Sequence, residues 1–184
     1  MTDTFDYDEI WREEKPFADR LAYWIKNRLH PEKVLDVGCG PGMHVYSLRD
    51  QNVIAWGYDI DSRVKNQPYL RQVSMFDIED QGDVVLCIEV AEHLETHLNA
   101  DIVQAIRRCL TPRGILIWTA AIPGQGGVGH INCQPQQYWH NMFVQAGLLP
   151  LSDLRQELLH WITQGYHMGW FTQNLQIFMR LDKD

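Results

Sequence analysis

The sequence predicts a single three-layer α/β domain built on a mostly parallel β-sheet, and three observations support this prediction. Helical and extended patterns alternate along the chain, as they do in βαβ units. The length of 184 residues suffices for one hydrophobic core. Hydrophobic residues make up 45% of the chain and charged residues 22%, which is typical of a packed globular protein.

In the first half of the chain, apolar periodicity and helix-breaking residues define the elements. Apolar residues recur at helical spacing over residues 17–29, and Pro31 then ends this amphipathic helix. The elements expected next are a strand at 34–37, a helix from 43 to about 51, a strand at 53–58, a weaker strand at 72–76 and a buried strand at 83–88.

The second half contains the clearest helix of the sequence, whose apolar stripe covers residues 94–109. The elements expected after it are a turn at 111–114, a strand at 115–122, a glycine-rich loop at 123–129, a helix at 138–146 that Gly147 ends, and a last strand at 175–179. Residues 151–162 are compatible with either a helix or a strand.

Charge and cysteine content exclude several classes of protein. The net charge of −8 disfavours binding to nucleic acid or to an anionic membrane, since both require a basic surface. No apolar run approaches the ~20 residues of a membrane span, and the acidic N-terminus is unlike a signal peptide. We therefore expect a cytoplasmic protein whose four cysteines (Cys39, Cys87, Cys109 and Cys133) are reduced thiols.

A glycine-rich turn follows the first predicted strand, with the sequence DVGCGPG at residues 36–42. Glycines let backbone N–H groups approach a ligand closely at a helix N-terminus. Asp59 ends the next strand, about 20 residues on, the interval at which an acid reaches ribose hydroxyls. The order GxGxG, in place of GxGxxG, and the acidic Asp36 disfavour a dinucleotide and a nicotinamide oxidoreductase. They favour a nucleoside cofactor that carries a cationic amine.

These residues resemble the ordered motifs of the class I S-adenosylmethionine-dependent methyltransferases. The matching segments are VLDVGCGPG at 34–42, GYDID at 57–61, MFD at 75–77, DVVLCIEVAEHL at 83–94 and LTPRGIL at 110–116. The fourth segment is similar to the E-V-x-E-H-L sequence of the small-molecule enzymes, whereas Arg113 stands where the family usually has glycine. The resemblance implies a doubly wound, Rossmann-like, seven-stranded mixed sheet in one domain.

The resemblance also implies S-adenosyl-L-methionine as cofactor and assigns its contacts. These are Asp36 for the amino group, Gly38 and Gly40 for backbone contact, Asp59 for both ribose hydroxyls, Ile60 for an adenine face, Phe76 and Asp77 for the adenine N6, and Ile88 and Glu89 for the methionine portion. Within one domain over residues 1–184, we expect an N-terminal helical segment at 1–30, a cofactor-binding core at 31–122, and an acceptor-side loop with C-terminal strands at 123–184.

Two histidines are the candidate catalytic residues. His130 ends the glycine-rich loop on the acceptor side, where a lid or a general base is needed. His93 belongs to an E-x-x-E-H cluster with Glu89 and Glu92. We assign no metal to this cluster and expect Glu92 to lie in the first helical turn and to pair with His93. The alternative is a divalent-metal site completed by His130, which resembles that of the small-RNA 2′-O-methyltransferases.

The predicted function is therefore methyl transfer to a small-molecule acceptor, for which a sugar is one candidate, by a monomer or homodimer without a membrane partner. The alternatives are a metal-assisted 2′-O-methyltransferase acting on an RNA end, and a catalytically silent module that binds S-adenosylmethionine. We expect the N-terminal segment, residues 123–132 and residues 160–172 to recognise the acceptor. The aromatic residues near the last strand are expected to pack in the core or at its edge (Trp161, Tyr166, Trp170 and Phe171).

Overall fold

A computed structural model describes residues 7–165 and 168–181, with side chains from residue 11 onward. The helices are α1 (Tyr7–Leu29), α2 (Met43–Asp50), α3 (Asn99–Cys109), α4 (Gln136–Gln145), α5 (Ser152–Thr163) and α6 (Gly169–Asn174). The strands are β1 (Val34–Val37), β2 (Ala55–Asp59), β3 (Leu70–Gln72), β4 (Gly82–Ile88), β5 (Leu110–Thr119), β6 (Leu148–Pro150) and β7 (Gln176–Arg180).

The strands form one seven-stranded sheet in the order β3-β2-β1-β4-β5-β7-β6. Strands β1 to β5 pair in parallel, while β7 runs antiparallel to both β5 and β6. From β1 the chain builds outward to β2 and β3, and then returns to the other side of β1 with β4. In open α/β sheets a crevice forms at such a reversal, outside the carboxyl ends of the strands. This topology places a ligand site beyond the ends of β1 and β4.

Two hydrophobic clusters, one on each face of the sheet, form the core. Along β4, Val84 and Leu86 belong to one cluster and Val85 and Cys87 to the other. Residues of α1, α2, α5 and α6 complete the first cluster, and residues of α3 and α4 complete the second. In the second cluster the Trp118 ring packs on Phe143 with ring centroids 4.8 Å apart. The sheet is thus buried on both faces, which makes three layers.

Some element boundaries differ from the predicted ones, because local side-chain bonds and long-range pairing set them. Residues 75–77 are a 3₁₀ turn whose start Ser74 caps, and the edge strand lies earlier, at Leu70–Gln72. Strand β5 spans Leu110–Thr119, so the segment expected as a turn is part of it, and Arg113 has φ 62° there. Residues 152–163 are helical. The short elements β6 and α6 had no signal in the sequence.

The four cysteines are free, and three of them are buried. Among the described residues, no helix combines the length and apolar character that a membrane crossing requires.

Candidate active site

The turn after β1 brings backbone N–H groups to the carboxyl edge of the sheet. Gly38, Gly40 and Gly42 all have positive φ values, of 75°, 49° and 84°, which glycine adopts without steric cost. At Gly38, a Cβ atom would lie 2.5 Å from Cγ2 of Val90, so no larger residue fits without displacing that side chain. The backbone can therefore lie directly against a ligand at this turn.

The Asp59 carboxylate is held beside this turn by two backbone hydrogen bonds. The Gly40 N–H donates to Oδ2 over 2.8 Å, and the Asp61 N–H donates to Oδ1 over 2.8 Å. Each carboxylate oxygen accepts more than one hydrogen bond, so both remain able to accept from ligand hydroxyls. These hydrogen bonds fix the position of the Asp59 carboxylate relative to the glycine turn.

Two cavities flank the glycine turn. The β2-side cavity, of about 380 Å³, is lined by residues that include Asp59, Ile60 and Phe76. The α1-side cavity, of about 470 Å³, reaches α1 at Glu14 and α6 at Trp170. Both are lined by the same five residues at their junction (Gly38, Gly40, Pro41, Glu89 and His93), so they form one groove.

The structure brings nearly all of the sequence-predicted site residues to this groove. Asp36, Ile88 and His130 line the α1-side cavity. Ile60 is 75% exposed, so its side chain is open to a ligand in the β2-side cavity. Asp77 is exposed next to Phe76 but lines neither cavity.

Asp36 is buried in β1 and lines the α1-side cavity with one oxygen unsatisfied. The residue is 2% exposed, and its Oδ2 has no hydrogen-bond partner. Burial, together with the nearby charge of Asp59, raises the pKa of Asp36 to about 8. A cationic ligand group at Oδ2 would remove the cost of ionising this carboxyl and lower its pKa.

The E-x-x-E-H cluster does not lie where helical periodicity placed it. Glu92 and His93 belong to a 3₁₀ turn at Ala91–His93, and α3 begins only at Asn99, so the expectation that Glu92 opens the long helix was wrong. The side chain of Glu92 is fully buried; its Oε1 accepts from the Ala121 N–H over 3.2 Å, while its Oε2 has no partner. Burial and the charge of Glu89 raise the pKa of Glu92.

His93 and His130 lie against each other, with ring centroids 5.0 Å apart and the rings at 72°. The Nδ1 of His93 is 3.2 Å from the carbonyl oxygen of Gly129, which makes Nδ1 the protonated nitrogen of a neutral ring and leaves Nε2 as an acceptor. Burial is the main cause that lowers the pKa of His93. One ligand atom each of Glu92, His93 and His130 lies within 4.8 Å of the others, so these three residues could hold a metal ion.

Backbone hydrogen bonds attach the end of the glycine-rich loop to the turn that carries His93. The N–H groups of Ile131 and Asn132 both donate to the Glu92 carbonyl oxygen, over 2.8 and 3.0 Å. The buried Asn132 side chain also donates to the Ala91 carbonyl and to Asn99 Oδ1. These bonds attach the His130 end of the loop, where we expected a lid or a general base, to the 3₁₀ turn.

Residues that the sequence did not single out line the α1-side cavity or orient the side chains that line it. Asn174 of α6 donates to Glu89 Oε1 over 3.1 Å and to Gln125 Oε1 over 2.9 Å, which orients both side chains. The buried His44 lines the same cavity, and its burial lowers its pKa to about 4. No motif or spacing marks these positions, because they come together only through the packing of α1, α2 and α6.

One of the aromatic residues expected to pack in the core or at its edge also lines the site. Trp170 lines the α1-side cavity while its ring also packs on Phe17, with centroids 5.9 Å apart. Trp161 stacks on Tyr23 outside both cavities, with centroids 5.6 Å apart. Phe171 is fully buried and packs on Phe17, with centroids 4.7 Å apart, as expected. Tyr166 lies outside the described residues.

Sequence comparison gives one family and one curated relative. A family model described as a methyltransferase domain matches residues 7–161. The ubiquinone biosynthesis O-methyltransferase of Histophilus somni (strain 2336) is 29% identical over 112 residues. That alignment covers 50% of this chain and 46% of the relative, so the chain spans about half the length of the curated protein that it matches.

Solved structures of methyltransferases share the fold. KedS8, a sugar N-methyltransferase from Streptoalloteichus sp ATCC 53650, has a TM-score of 0.65 and 18% identity, covering 97% of this chain and 94% of its own. CalS10, an amino pentose methyltransferase from Micromonospora echinaspora, has a TM-score of 0.70 and 18% identity, covering 96% of this chain and 97% of its own. Since the family model matches well over half of its residues, this chain belongs to the methyltransferase domain family, the class I S-adenosylmethionine-dependent methyltransferases.

Proposed function

We propose that this chain transfers the methyl group of S-adenosyl-L-methionine to a small-molecule acceptor, with a sugar as one candidate. The observation that carries the proposal is the single groove beside the glycine turn, with Asp59 in one cavity and Glu14 and His130 in the other. One cavity has the size and the hydroxyl-binding acid for a nucleoside. The other leaves room for a second molecule next to the glycine turn.

The residues of the β2-side cavity would hold the adenosine portion. Asp59 would accept from both ribose hydroxyls while it keeps its bond to Gly40. Ile60 and Phe76 would contact the adenine faces. Asp77 and the Phe76 backbone would form hydrogen bonds with the N6 amino group. Bound S-adenosylmethionine supplies an activated methyl group, so this chain mainly has to position both molecules and exclude water.

The α1-side cavity would hold the methionine portion and the acceptor. Asp36, whose Oδ2 has no hydrogen-bond partner, would bind the ammonium group. Ile88 and Glu89 border the same space at the end of β4. His130, supported by His93, would accept the proton of a hydroxyl acceptor.

Two further facts favour a small acceptor. The net charge of −8 opposes binding to nucleic acid. The solved structures that share this fold include a sugar N-methyltransferase and an amino pentose methyltransferase. We assign the cofactor-binding core to residues 31–122 and acceptor recognition to residues 1–30 and 123–184 of a single domain.

The experiment that tests the proposal has two readouts. Calorimetric titration with S-adenosylhomocysteine measures cofactor binding, and formation of S-adenosylhomocysteine from the donor measures transfer to a panel of small acceptors. We expect binding together with transfer to at least one acceptor. Binding without any transfer would favour the silent cofactor-binding module, and absence of binding would refute both.

A second candidate function is metal-assisted methylation of a hydroxyl, such as the 2′-hydroxyl of an RNA end. It is favoured by the spacing of Glu92, His93 and His130 and by the partnerless Oε2 of the buried Glu92. These donors suit a divalent ion, which would lower the pKa of the acceptor hydroxyl. Titration with Mg²⁺, Mn²⁺ and Zn²⁺, and activity with and without a chelator, test this candidate; activity that survives chelation refutes it.

A further inference from the structure

We propose that the acceptor is an aliphatic amine whose ammonium group docks between Glu14 of α1 and Glu89 at the end of β4, and that Glu14 removes its proton. This inference rests on the proposed function and specifies its substrate class. It starts from the charges that line the groove.

Carboxylates line the groove, together with the histidines His44, His93 and His130. Glu14, Asp36 and Glu89 line the α1-side cavity, and Asp59 and Asp61 line the other. No lysine or arginine lines either cavity among the described residues. Acceptors that carry phosphate or carboxylate groups would therefore meet several carboxylates of like charge, whereas an amine would meet opposite charge.

Two basic residues of α1 have partners away from the groove. Lys15, which follows Glu14 on α1, pairs with Asp19. Arg20 lies over the Trp161 ring at 4.4 Å and donates to the Trp161 carbonyl oxygen. Asp61 of the β2-side cavity is paired with Arg63, over 2.6 Å. The carboxylates of the α1-side cavity, Glu14, Asp36 and Glu89, have no lysine or arginine partner among the described residues, so a ligand is left to balance their charge.

Glu14 and Glu89 both line the α1-side cavity; Glu14 has no cofactor assignment, and Glu89 borders the methionine portion. The charge of Glu89, after burial, is a main cause that raises the pKa of Glu14 to about 7, so the two carboxyls interact. Asp36 is assigned to the cofactor's ammonium group, whereas Glu14 lies on α1, outside the family motifs. A protonated amine between Glu14 and Glu89 would stabilise both as carboxylates.

The remaining walls suit an uncharged carbon skeleton next to that ammonium group. Trp170 presents an aromatic surface, and its packing on Phe17 holds it in place. Gln125 is oriented by its bond from Asn174 and lines the same space. Aromatic rings attract cations and pack on sugar-like or aliphatic faces, while an amide binds hydroxyls.

The chemical step balances without a further reactant. Glu14 accepts one proton from the ammonium group, which leaves a neutral amine with a free electron pair. That pair forms the new nitrogen–carbon bond as the carbon–sulfur bond breaks and its electron pair stays on sulfur. The products are a methylated ammonium ion and the neutral thioether, and Glu14 then releases its proton to solvent.

The test uses matched acceptors that differ only in the reacting group: amino sugars and linear amino alcohols, their hydroxyl counterparts, and their carboxylate or phosphate counterparts. S-adenosylhomocysteine formation gives kcat/KM, and calorimetry of each compound with the S-adenosylhomocysteine complex gives binding. We expect binding and transfer with amines and neither with the acids. Preferential transfer to a hydroxyl or acidic counterpart would overturn the amine assignment but leave the proposed function intact. A requirement for a divalent cation would also overturn it, since that ion would then balance the carboxylates.

The matched variants are Glu14→Gln and Glu13→Gln. Glu14→Gln should weaken amine binding and kcat/KM by roughly 10- to 100-fold, the value of a charge-assisted hydrogen bond, with S-adenosylhomocysteine affinity unchanged. Glu13→Gln removes the same charge from an exposed neighbour on α1; because the charge of Glu13 contributes to the raised pKa of Glu14, it should change both quantities far less than Glu14→Gln does. An equal loss in both variants would show a general field effect, and an unchanged Glu14→Gln would place the amine elsewhere; either result refutes the proposed contact.

Discussion

The affinity for the cofactor should depend on pH because cofactor binding requires Asp36 to be ionised. Its pKa of about 8 in the free protein means that it is mostly protonated below neutral pH. An ammonium group at the unsatisfied Oδ2 requires the carboxylate form, so binding must release a proton. Affinity should therefore rise with pH until the pKa of the free protein is reached.

The magnitude follows from the fraction of Asp36 that is ionised. With a pKa of about 8, the penalty for ionisation falls by about 2 kcal/mol between pH 5.5 and pH 7, because each pKa unit corresponds to about 1.4 kcal/mol. The dissociation constant of S-adenosylhomocysteine should then fall about 30-fold over this interval. Nearly one proton should be released per molecule bound at pH 6.

Calorimetric titration in buffers of different ionisation enthalpy measures both quantities. The Asp36→Asn variant should bind weakly and lose this pH dependence, while Asp153→Asn, an exposed acid on α5, should behave as the parent chain. Other groups of the cavity also titrate, among them Glu14 with a pKa of about 7. A pH dependence of the full size that persists in Asp36→Asn would assign it to these other groups and refute the role of Asp36, as would a flat profile in the parent chain.

Three further changes test the placement of the cofactor and of the proposed base. Asp59→Ala should weaken S-adenosylhomocysteine binding by about 1.5–3 kcal/mol in calorimetry, since a charged acceptor is lost; unchanged affinity would show that the ribose lies elsewhere. For a hydroxyl acceptor, His130→Ala should leave that affinity intact and reduce turnover by about 10²-fold or more, and an equal loss in both would assign His130 to the cofactor. In Gly127→Ala the new Cβ would lie 2.2 Å from His130 Nε2, so the ring must move and turnover should fall as in His130→Ala; full activity would show that the ring position is unimportant.

The pKa shifts also predict how the stability of the ligand-free protein depends on pH. Asp36 and Glu14 have pKa values that are higher in the folded chain than in the unfolded chain, so their contribution to stability is lost as pH rises from about 4 to 8. Burial lowers the pKa of His44, so the contribution of His44 to stability is lost as pH falls from about 6.5 to 4. The melting temperature should decline between pH 6.5 and 8.5, and S-adenosylhomocysteine should reduce the decline; a rising curve would contradict both acid shifts.

The family and the fold class were predicted from the sequence and are confirmed. This was possible because the glycine turn, Asp59 and the buried strand β4 are local features. Their spacing along the chain dictates a strand, a tight turn and a helix N-terminus, and a parallel sheet then aligns the strand ends.

Element boundaries were less predictable where a single side chain or a distant strand sets them. Ser74 starts a 3₁₀ turn and so removes residues 75–77 from the sheet, although their apolar character is compatible with a strand. Glu92 lies within an apolar helical pattern, yet the chain turns at Ala91–His93 before α3 begins. In both places a few local hydrogen bonds outweigh a weak periodic preference.

The composition and spacing of residues along the chain determined the class of fold, the glycine turn and the acid that would receive a ribose. Only the tertiary structure decided that Glu14, His44 and Trp170 share one cavity with Glu89, that Asn174 donates to Glu89, and that Glu92 is buried with an unsatisfied oxygen. Periodicity reports how a segment coils and which face it buries. The charge and shape of a cavity depend instead on how α1 and α6 pack against the end of β4, and no pattern within a single segment records that arrangement.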